Sequence, residues 1–386
     1  MRPVVFALLL SPALAQPAPP LTPEEQAALG AAFDAPPAPV TTPVAPLASA
    51  NPDIALILDV AAAWFSDDPD QRGGHDPQKT GFNLQQLELH VGHSVDPYFE
   101  FATNIVFAQF GVEVEEAYAT TLALPHGLQA RAGQFLTRMG RLNPTHPHAW
   151  AFVDQPLVNG KFFGSEGSRG LGIELSWLSP LPWYAVLYGS TTDAAAECCA
   201  RSFFGGEDLG VETPADLLHT LRLEQFFPFD DAWSLSWGLN GQLGPNASGN
   251  GNRTEIYGTD LYLRWRPTDS PGRVAFSLQT EGFYRTRQVP EGRLEDVGLY
   301  SQALLDFARH WQVGGRYEWV QGVEDDPLDP EWTDDRTRIS AQATWFPSHF
   351  SRLRLQYSID DGPQPRVQAV MLALETLVGA HGAHGF

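Results

Sequence analysis

A chain of 386 residues has the length of two or three domains, but its composition argues for a different economy. Hydrophobic residues are 43%, charged ones 18%, mean hydropathy is -0.21, and 46 acidic residues against 24 basic ones leave a net charge of -22. The acidity excludes a generic nucleic-acid binder, the lack of a ~18-residue apolar run after the N-terminus excludes a helical membrane protein, and 11% aromatic content excludes a wholly disordered acidic chain. What is left is a soluble all-β protein or a transmembrane β-barrel, whose alternating polar positions mask its membrane character.

The chain opens with Met1-Arg2-Pro3, an apolar run from Val4 to Leu10, and Ala13-Leu14-Ala15. That order predicts a signal peptide over 1–15, cut before Gln16. Residues 16–50 are rich in Pro and Ala and read as an extended periplasmic leader that packs no core. Within it, Thr22 as N-cap, Pro23 at N1 and a nearby Gly30 predict one short helix. Cys198 and Cys199 suit an exported protein without a disulfide framework. A bridge between adjacent residues is strained, so they read as idle loop thiols.

From 51 to 386 one domain is expected. Strands are predicted near 54–65, 81–95, 98–109, 112–124, 128–137, 169–178, 183–193 and 215–227. The rest fall near 232–243, 255–266, 273–286, 294–308, 310–321, 336–346, 351–360 and 366–378. Each is long enough to cross a membrane at a tilt, which takes ~9–11 residues. One set of connections is short and turn-like: Asp96-Pro97, Pro125-His126-Gly127, 179–182, 228–231, 267–272 and 347–349. The alternate set is mostly long: 66–80, 138–168, 194–214, 244–254, 287–293 and 322–335. Short turns on one side and long loops on the other predict an antiparallel up-and-down barrel of about sixteen strands (14–18), with its loops outside the cell. Segment 366–378 is apolar on both faces around Val370 to Leu374, which a buried helix would explain nearly as well.

Period-two patterning fixes the faces. Over 98–109, Phe99, Phe101, Ile105 and Phe107 oppose Glu100, Ala102 and Asn104. Over 336–346, Ile339, Ala341, Ala343 and Trp345 oppose Arg338, Ser340 and Gln342. Over 351–360, Leu353, Leu355, Tyr357 and Ile359 oppose Arg352, Arg354, Gln356 and Ser358. A charge facing lipid at mid-bilayer costs ~2–4 kcal/mol, so Glu100, Arg338, Arg352 and Arg354 are expected in the lumen, with Glu88 and His90. Trp64, Phe65, Trp177, Trp183, Trp233, Trp265, Trp311, Trp345 and Phe346 sit at strand ends, as an aromatic girdle requires.

Loop 138–168 is the longest connection, too apolar for a merely solvated loop, and therefore functional. The preceding Gly133-Gln134-Phe135-Leu136-Thr137-Arg138-Met139-Gly140 resembles the end of strand five in the phosphate-selective porins, a family of sixteen-stranded outer-membrane barrels. Trp345 to Tyr357 is similar to that family's penultimate hairpin. The resemblance implies that 138–168 folds inward and narrows the pore, with Arg138, Arg141, His146, His148, Asp154, Lys161 and Glu166 lining the constriction. It also implies a homotrimer, outer-membrane lipid and lipopolysaccharide as surroundings, and insertion by the barrel-assembly machinery, to which the terminal Phe386 is suited. Arg138 stands where the family has Pro, and Lys79 and Lys161 are the only lysines, so phosphate selectivity is not carried over.

The stretch His146 to Pro156 and the Gly/His-rich end are similar to zinc-responsive outer-membrane proteins, some labelled TonB-dependent receptors. A plug and ~22 strands do not fit this length. His146 and His148 at i, i+2 present two imidazoles suited to zinc, copper or nickel, with Asp154 as a third ligand. His381 and His384 offer a second pair. Glu113, Glu115, Glu116, Asp325 and Asp326 read as solvated groups at the outer rim. Gly164-Ser165-Glu166-Gly167-Ser168 is out of register for a nucleophile elbow, and neither a His-Glu-x-x-His motif nor a Walker loop occurs, so no enzyme and no obligatory cofactor are expected. The leading expectation is a passive porin-like channel with mild cation preference. A zinc-binding uptake barrel and a soluble secreted β-protein stand as alternatives.

Overall fold

The computed structural model describes residues 52–108, 111–194, 199–204, 211–249, 251–269, 274–362 and 365–379. The expected signal peptide, leader and leader helix, and His381, His384 and Phe386, lie outside the described residues, as does Cys198. Sixteen strands run β1 Asp53–Phe65, β2 Gly81–Ser94, β3 Phe99–Ala108, β4 Gly111–Thr121, β5 Leu128–Leu136, β6 Arg169–Leu178, β7 Tyr184–Thr192 and β8 Leu218–Pro228. They continue as β9 Trp233–Pro245, β10 Arg253–Trp265, β11 Val274–Val289, β12 Gly292–Phe307, β13 Trp311–Val320, β14 Arg336–Ser348, β15 Ser351–Asp361 and β16 Val367–Gly379.

Each strand pairs antiparallel with its neighbours in sequence, and β1 pairs with β16 from Ala55↔Gly379 to Phe65↔Ala369, closing the barrel. Closure leaves no free sheet edge, the condition for a sheet to sit in lipid. An even strand number puts Asp53 and Gly379 at the same end as the short turns. The ambiguous last segment is strand β16, because β1 and β15 flank it and satisfy its backbone. One expected loop disappears: β11 and β12 pair up to Val289↔Gly292, so 287–293 contracts to a two-residue turn.

The outer face carries Ile339, Leu355, Tyr357, Leu372 and Leu374, all exposed, while Arg338, Gln342, Arg354 and Gln356 on the opposite face are buried. Trp64, Trp177, Trp183, Trp311 and Trp345 are exposed at strand ends, and the Trp233–Trp265 and Trp311–Trp345 pairs bring rings together at 6.1 and 6.4 Å. Phe65 departs from the expected girdle. It turns inward and packs with Val153 and the inner faces of β1 and β16.

Among the described residues three register shifts interrupt the alternation, one at the β14–β15 turn end between Trp345 and Ser348 and two next to the inserted loop. Pairing of β3 with β4 jumps from Asn104↔Glu116 to Ile105↔Val114, leaving Glu115 as an extra residue. Pairing of β1 with β2 jumps from Asp59↔Gln86 to Val60↔Leu84, leaving Gln85 extra. A bulge breaks the period of two locally and re-aims a side chain, so Gln85 and Gln86 are both buried, and Glu115 and Glu116 likewise. The hydrophobic core lies inside the barrel. Met139, Leu142, Leu157, Val158, Phe162 and Phe163 of the inserted loop pack with Phe203 and Phe204 and with Ile256, Phe283, Tyr300 and Val320 of the wall.

Candidate functional site

The connection between β5 and β6 enters the lumen at Gly140, whose φ of +81° is left-handed and whose Cβ, if present, would lie 2.2 Å from Glu281 Oε2. Glycine is favoured there because it meets both conditions without strain. Glu281 on β11 then receives the backbone N–H groups of Arg141 at 3.0 Å and Leu142 at 2.8 Å. The loop makes a 3-10 turn at Pro147–Ala149 and one short helix, α1, at Leu157–Phe163. Glu318 on β13 accepts the Leu157 N–H at 2.7 Å, standing in for the missing cap at the start of α1.

Asp154 is the main anchor. It accepts from Arg316 on β13, from Arg338 on β14 at 2.8 Å and from Gln356 on β15 at 2.8 Å. Both arginines also bond backbone carbonyls of the loop, Arg316 to Asp154 at 2.9 Å and Arg338 to Gln155 at 2.8 Å. Burial pushes the Asp154 carboxyl up, but Arg316 and Arg338 outweigh it and hold the group at about 2. Lys161 on α1 meets Asp296 on β12 at 2.7 Å, and Asp296 also holds Arg285. Arg285 and Arg287 continue to Asp329, and Arg287 to Asp326, in loop 321–335. Asp326 is therefore buried in an ion pair rather than solvated at the rim, since an inward arginine sits beneath it.

On the opposite wall the partners are histidines. His75 in loop 66–80 places Nε2 at 2.9 Å from Glu166 Oε2 and Nδ1 at 3.3 Å from the Gln85 carbonyl. His146 places Nδ1 at 2.9 Å from Glu115 Oε2 and 3.8 Å from Glu88 Oε1. Its Nε2 lies 2.9 Å from both Glu116 Oε2 and Asn104 Nδ2. His148 Nδ1 reaches Glu88 Oε2 at 2.8 Å, and the two imidazoles stack at 5.6 Å. Burial alone would lower the His75 imidazole, yet Glu166 and Glu115 push it up to about 9. His146 is likewise raised well above its ordinary value: burial opposes this, and Glu115 and Glu88 prevail. Glu115 and Glu116 thus correct the rim expectation, because the β4 bulge turns both inward where strict alternation allows only one.

Of the seven expected constriction residues, His146, His148, Asp154 and Lys161 are buried and bonded to the wall, and Glu166 pairs with His75. Asp154 stands among arginines instead of joining the histidines as a metal ligand. Arg138 and Arg141 line open space, a cavity of about 500 Å³ shared with Tyr184, Tyr188, Arg222, Glu224, Tyr262 and Gln279. Their guanidiniums stack on Tyr188 at 4.4 Å and Tyr262 at 3.9 Å. A second recess, of about 1030 Å³, opens at the turn end between Arg264, Arg266, Arg309, His310, His349 and Arg352.

The lumen-side residues divide by depth. Glu88, Arg338 and Arg354 are deeply buried, and His90 bonds Asn104 at 2.6 Å. Arg352 donates to the Trp150 carbonyl at 3.0 Å and to that of His148. Glu100 is exposed on the same strand face as Asn104. His75, Arg285, Arg287, Asp296, Arg316 and Glu318 were not singled out in the sequence. All but His75 lie on strands as buried charges, a signal that period-two counting over β11 to β13 carries. Cys199 is disulfide-bonded, which corrects the reading of idle thiols.

No protein-family description matches the chain. An uncharacterised protein of Aquifex aeolicus is 32% identical over 381 residues, covering 87% of this chain and 80% of that one. Among solved structures, the outer-membrane channel DcaP of Acinetobacter baumannii superposes with a TM-score of 0.56 at 12% identity, over 86% of this chain and 98% of that one. The anion-selective porin of Comamonas acidovorans gives 0.53 at 9% identity, over 85% and 99%. OmpT, an outer-membrane protein of Vibrio cholerae, in its trimer form gives 0.52 at 9% identity, over 85% and 99%. These likenesses carry the fold: an outer-membrane barrel of sixteen antiparallel strands.

Proposed function

We propose, from the premise that the chain belongs to the same family as the uncharacterised Aquifex aeolicus protein, that it is an outer-membrane channel for passive diffusion of small hydrophilic solutes. The observation that carries this reading is a loop anchored inside a polar-walled lumen that keeps open spaces of about 500 and 1030 Å³. Diffusion through such a pore is tuned by the charges along it. The overall acidity pointed to cations, but the acidic groups inside are mostly consumed by ion pairs. Arginines outnumber carboxylates three to one in the lining of the first space and four to two in that of the second, with Arg138, Arg222 and Arg352 also paired to Glu174, Asp260 and Glu375. Local potential, not net charge, governs which ions concentrate in a cleft, so the channel favours anions.

Planar-bilayer recordings test both levels. Stepwise conductance is expected, with a reversal potential in a salt gradient on the anion side. An Arg138→Glu/Arg141→Glu variant shifts it toward cations. Absence of conductance from folded protein overturns the channel. A cation-selective reversal that ignores the double variant overturns the charge reading. A homotrimer, contact with lipopolysaccharide and insertion by the barrel-assembly machinery belong to the same reading, and native mass spectrometry in detergent checks the first.

A further inference from the structure

We propose that His75, Glu88, Glu115, His146 and Glu166 form a binding site for one or two divalent first-row transition-metal ions, with Glu115 common to both positions. The ligand atoms of His75, Glu115 and Glu166 lie within 4.8 Å of one another, and so do those of Glu88, Glu115 and His146. Zinc bonds such nitrogen and oxygen donors at ~2.0–2.2 Å, so donor atoms this close together can converge on one ion. Imidazole and carboxylate without thiolate select zinc, manganese, iron, cobalt or nickel over copper(I).

The surroundings orient the imidazoles as ligands. The Gln85 carbonyl lies against Nδ1 of His75, which turns Nε2 to Glu166. Glu116 lies against Nε2 of His146, which turns Nδ1 to Glu115 and Glu88. A metal-bound histidine almost always gives its second nitrogen to a carbonyl or carboxylate in this way. Both bulges serve the site, since Gln85 and Glu115 are their extra residues.

Partner choice points the same way. Elsewhere in this lumen the buried carboxylates Asp154, Asp260, Asp296 and Glu318 take arginine, a permanent cation, while Glu281 takes backbone N–H groups. Here the carboxylates take histidine, whose proton a metal can replace. The bound ion joins loop 66–80 through His75 and loop 137–168 through His146 and Glu166 to β2 and β4, clamping the inserted loop to the wall. This site does not depend on the channel reading, and its test needs no conductance.

Isothermal titration of tag-free, chelator-treated full-length protein in detergent with zinc chloride alone is the experiment. One or two ions per chain are expected, with affinity at least about tenfold weaker in Glu115→Gln. A His381→Ala/His384→Ala variant is expected to keep the binding. Zinc K-edge absorption of the loaded wild type is expected to show imidazole scattering with nitrogen and oxygen neighbours and no sulfur, a readout that stands even if Glu115→Gln fails to fold. The proposal is overturned by no binding to the wild type, by unchanged binding in folded Glu115→Gln, by loss of binding with the terminal histidines, or by a spectrum without imidazole.

Discussion

The two walls of the lumen satisfy buried carboxylates in different ways. From β10 to β15, arginines reach across to aspartates and glutamates, and the inserted loop is held by Asp154 and Lys161 within that lattice. From β2 to β4, histidines of two loops face glutamates. A guanidinium keeps its charge at any accessible pH, whereas an imidazole exchanges its proton for another cation. The first wall is a fixed lock and the second is a replaceable one. The same inserted loop touches both.

The comparison breaks most visibly at Asp154. Asp154→Ala leaves Arg316 and Arg338 buried without their shared partner, and removing one member of a buried pair costs ~3–5 kcal/mol. Urea titration of the folded barrel, followed by tryptophan fluorescence, should register that loss. Metal-free Glu115→Gln should lose less, because its partner His146 can give up its charge; equal losses would erase the distinction between the walls.

Acid provides the next test of the lock. Asp154 titrates at about 2, below its ordinary 3.8. A carboxyl depressed in the folded state stabilises fully above its unfolded value and loses that contribution as pH falls through the folded one. The anchor should therefore hold down to about pH 3.8 and release as pH approaches about 2. Protease accessibility of the inserted loop across that window is the measurement. Release already near neutral pH would contradict the assignment.

A charge moved from inside to outside sharpens the contrast between faces. Leu355→Arg places on the lipid side what Arg354 places inside, at a cost of ~2–4 kcal/mol near mid-bilayer. A silent variant in lipid vesicles would mean that this face does not meet lipid. The smallest effect is expected at Gly140→Ala, where a left-handed residue with a side chain costs ~1–2 kcal/mol and crowds Glu281. Its unfolding midpoint should fall slightly while the barrel still assembles.

Strand positions were legible because each needs only local information: a run of about the right length, an alternating face and a turn residue at each end. β6 occurs at the residues predicted, and β5, β13 and β15 lie within a residue or so of theirs. The site was legible only in part. His146 and His148 stood out, but His75 is an isolated histidine in a loop, and Glu115 and Glu116 looked like a solvated run. A bulge is decided by the partner strand's register, which the residues of one strand do not encode.

By itself, then, the sequence determined the barrel, its approximate strand number, its loop asymmetry and the inward side of Arg338, Arg352 and Arg354. All of these follow from period-two patterning and the cost of a charge in lipid. Only the tertiary structure decided which charges meet. Asp154 with Arg338, Lys161 with Asp296 and His75 with Glu166 are separated by 184, 135 and 91 residues, and closure of the barrel around the inserted loop brings them together. It also decided where part of the acidity resides: Asp154, Asp260, Asp296 and Glu318 are buried against arginine, and Glu88 and Glu115 against histidine.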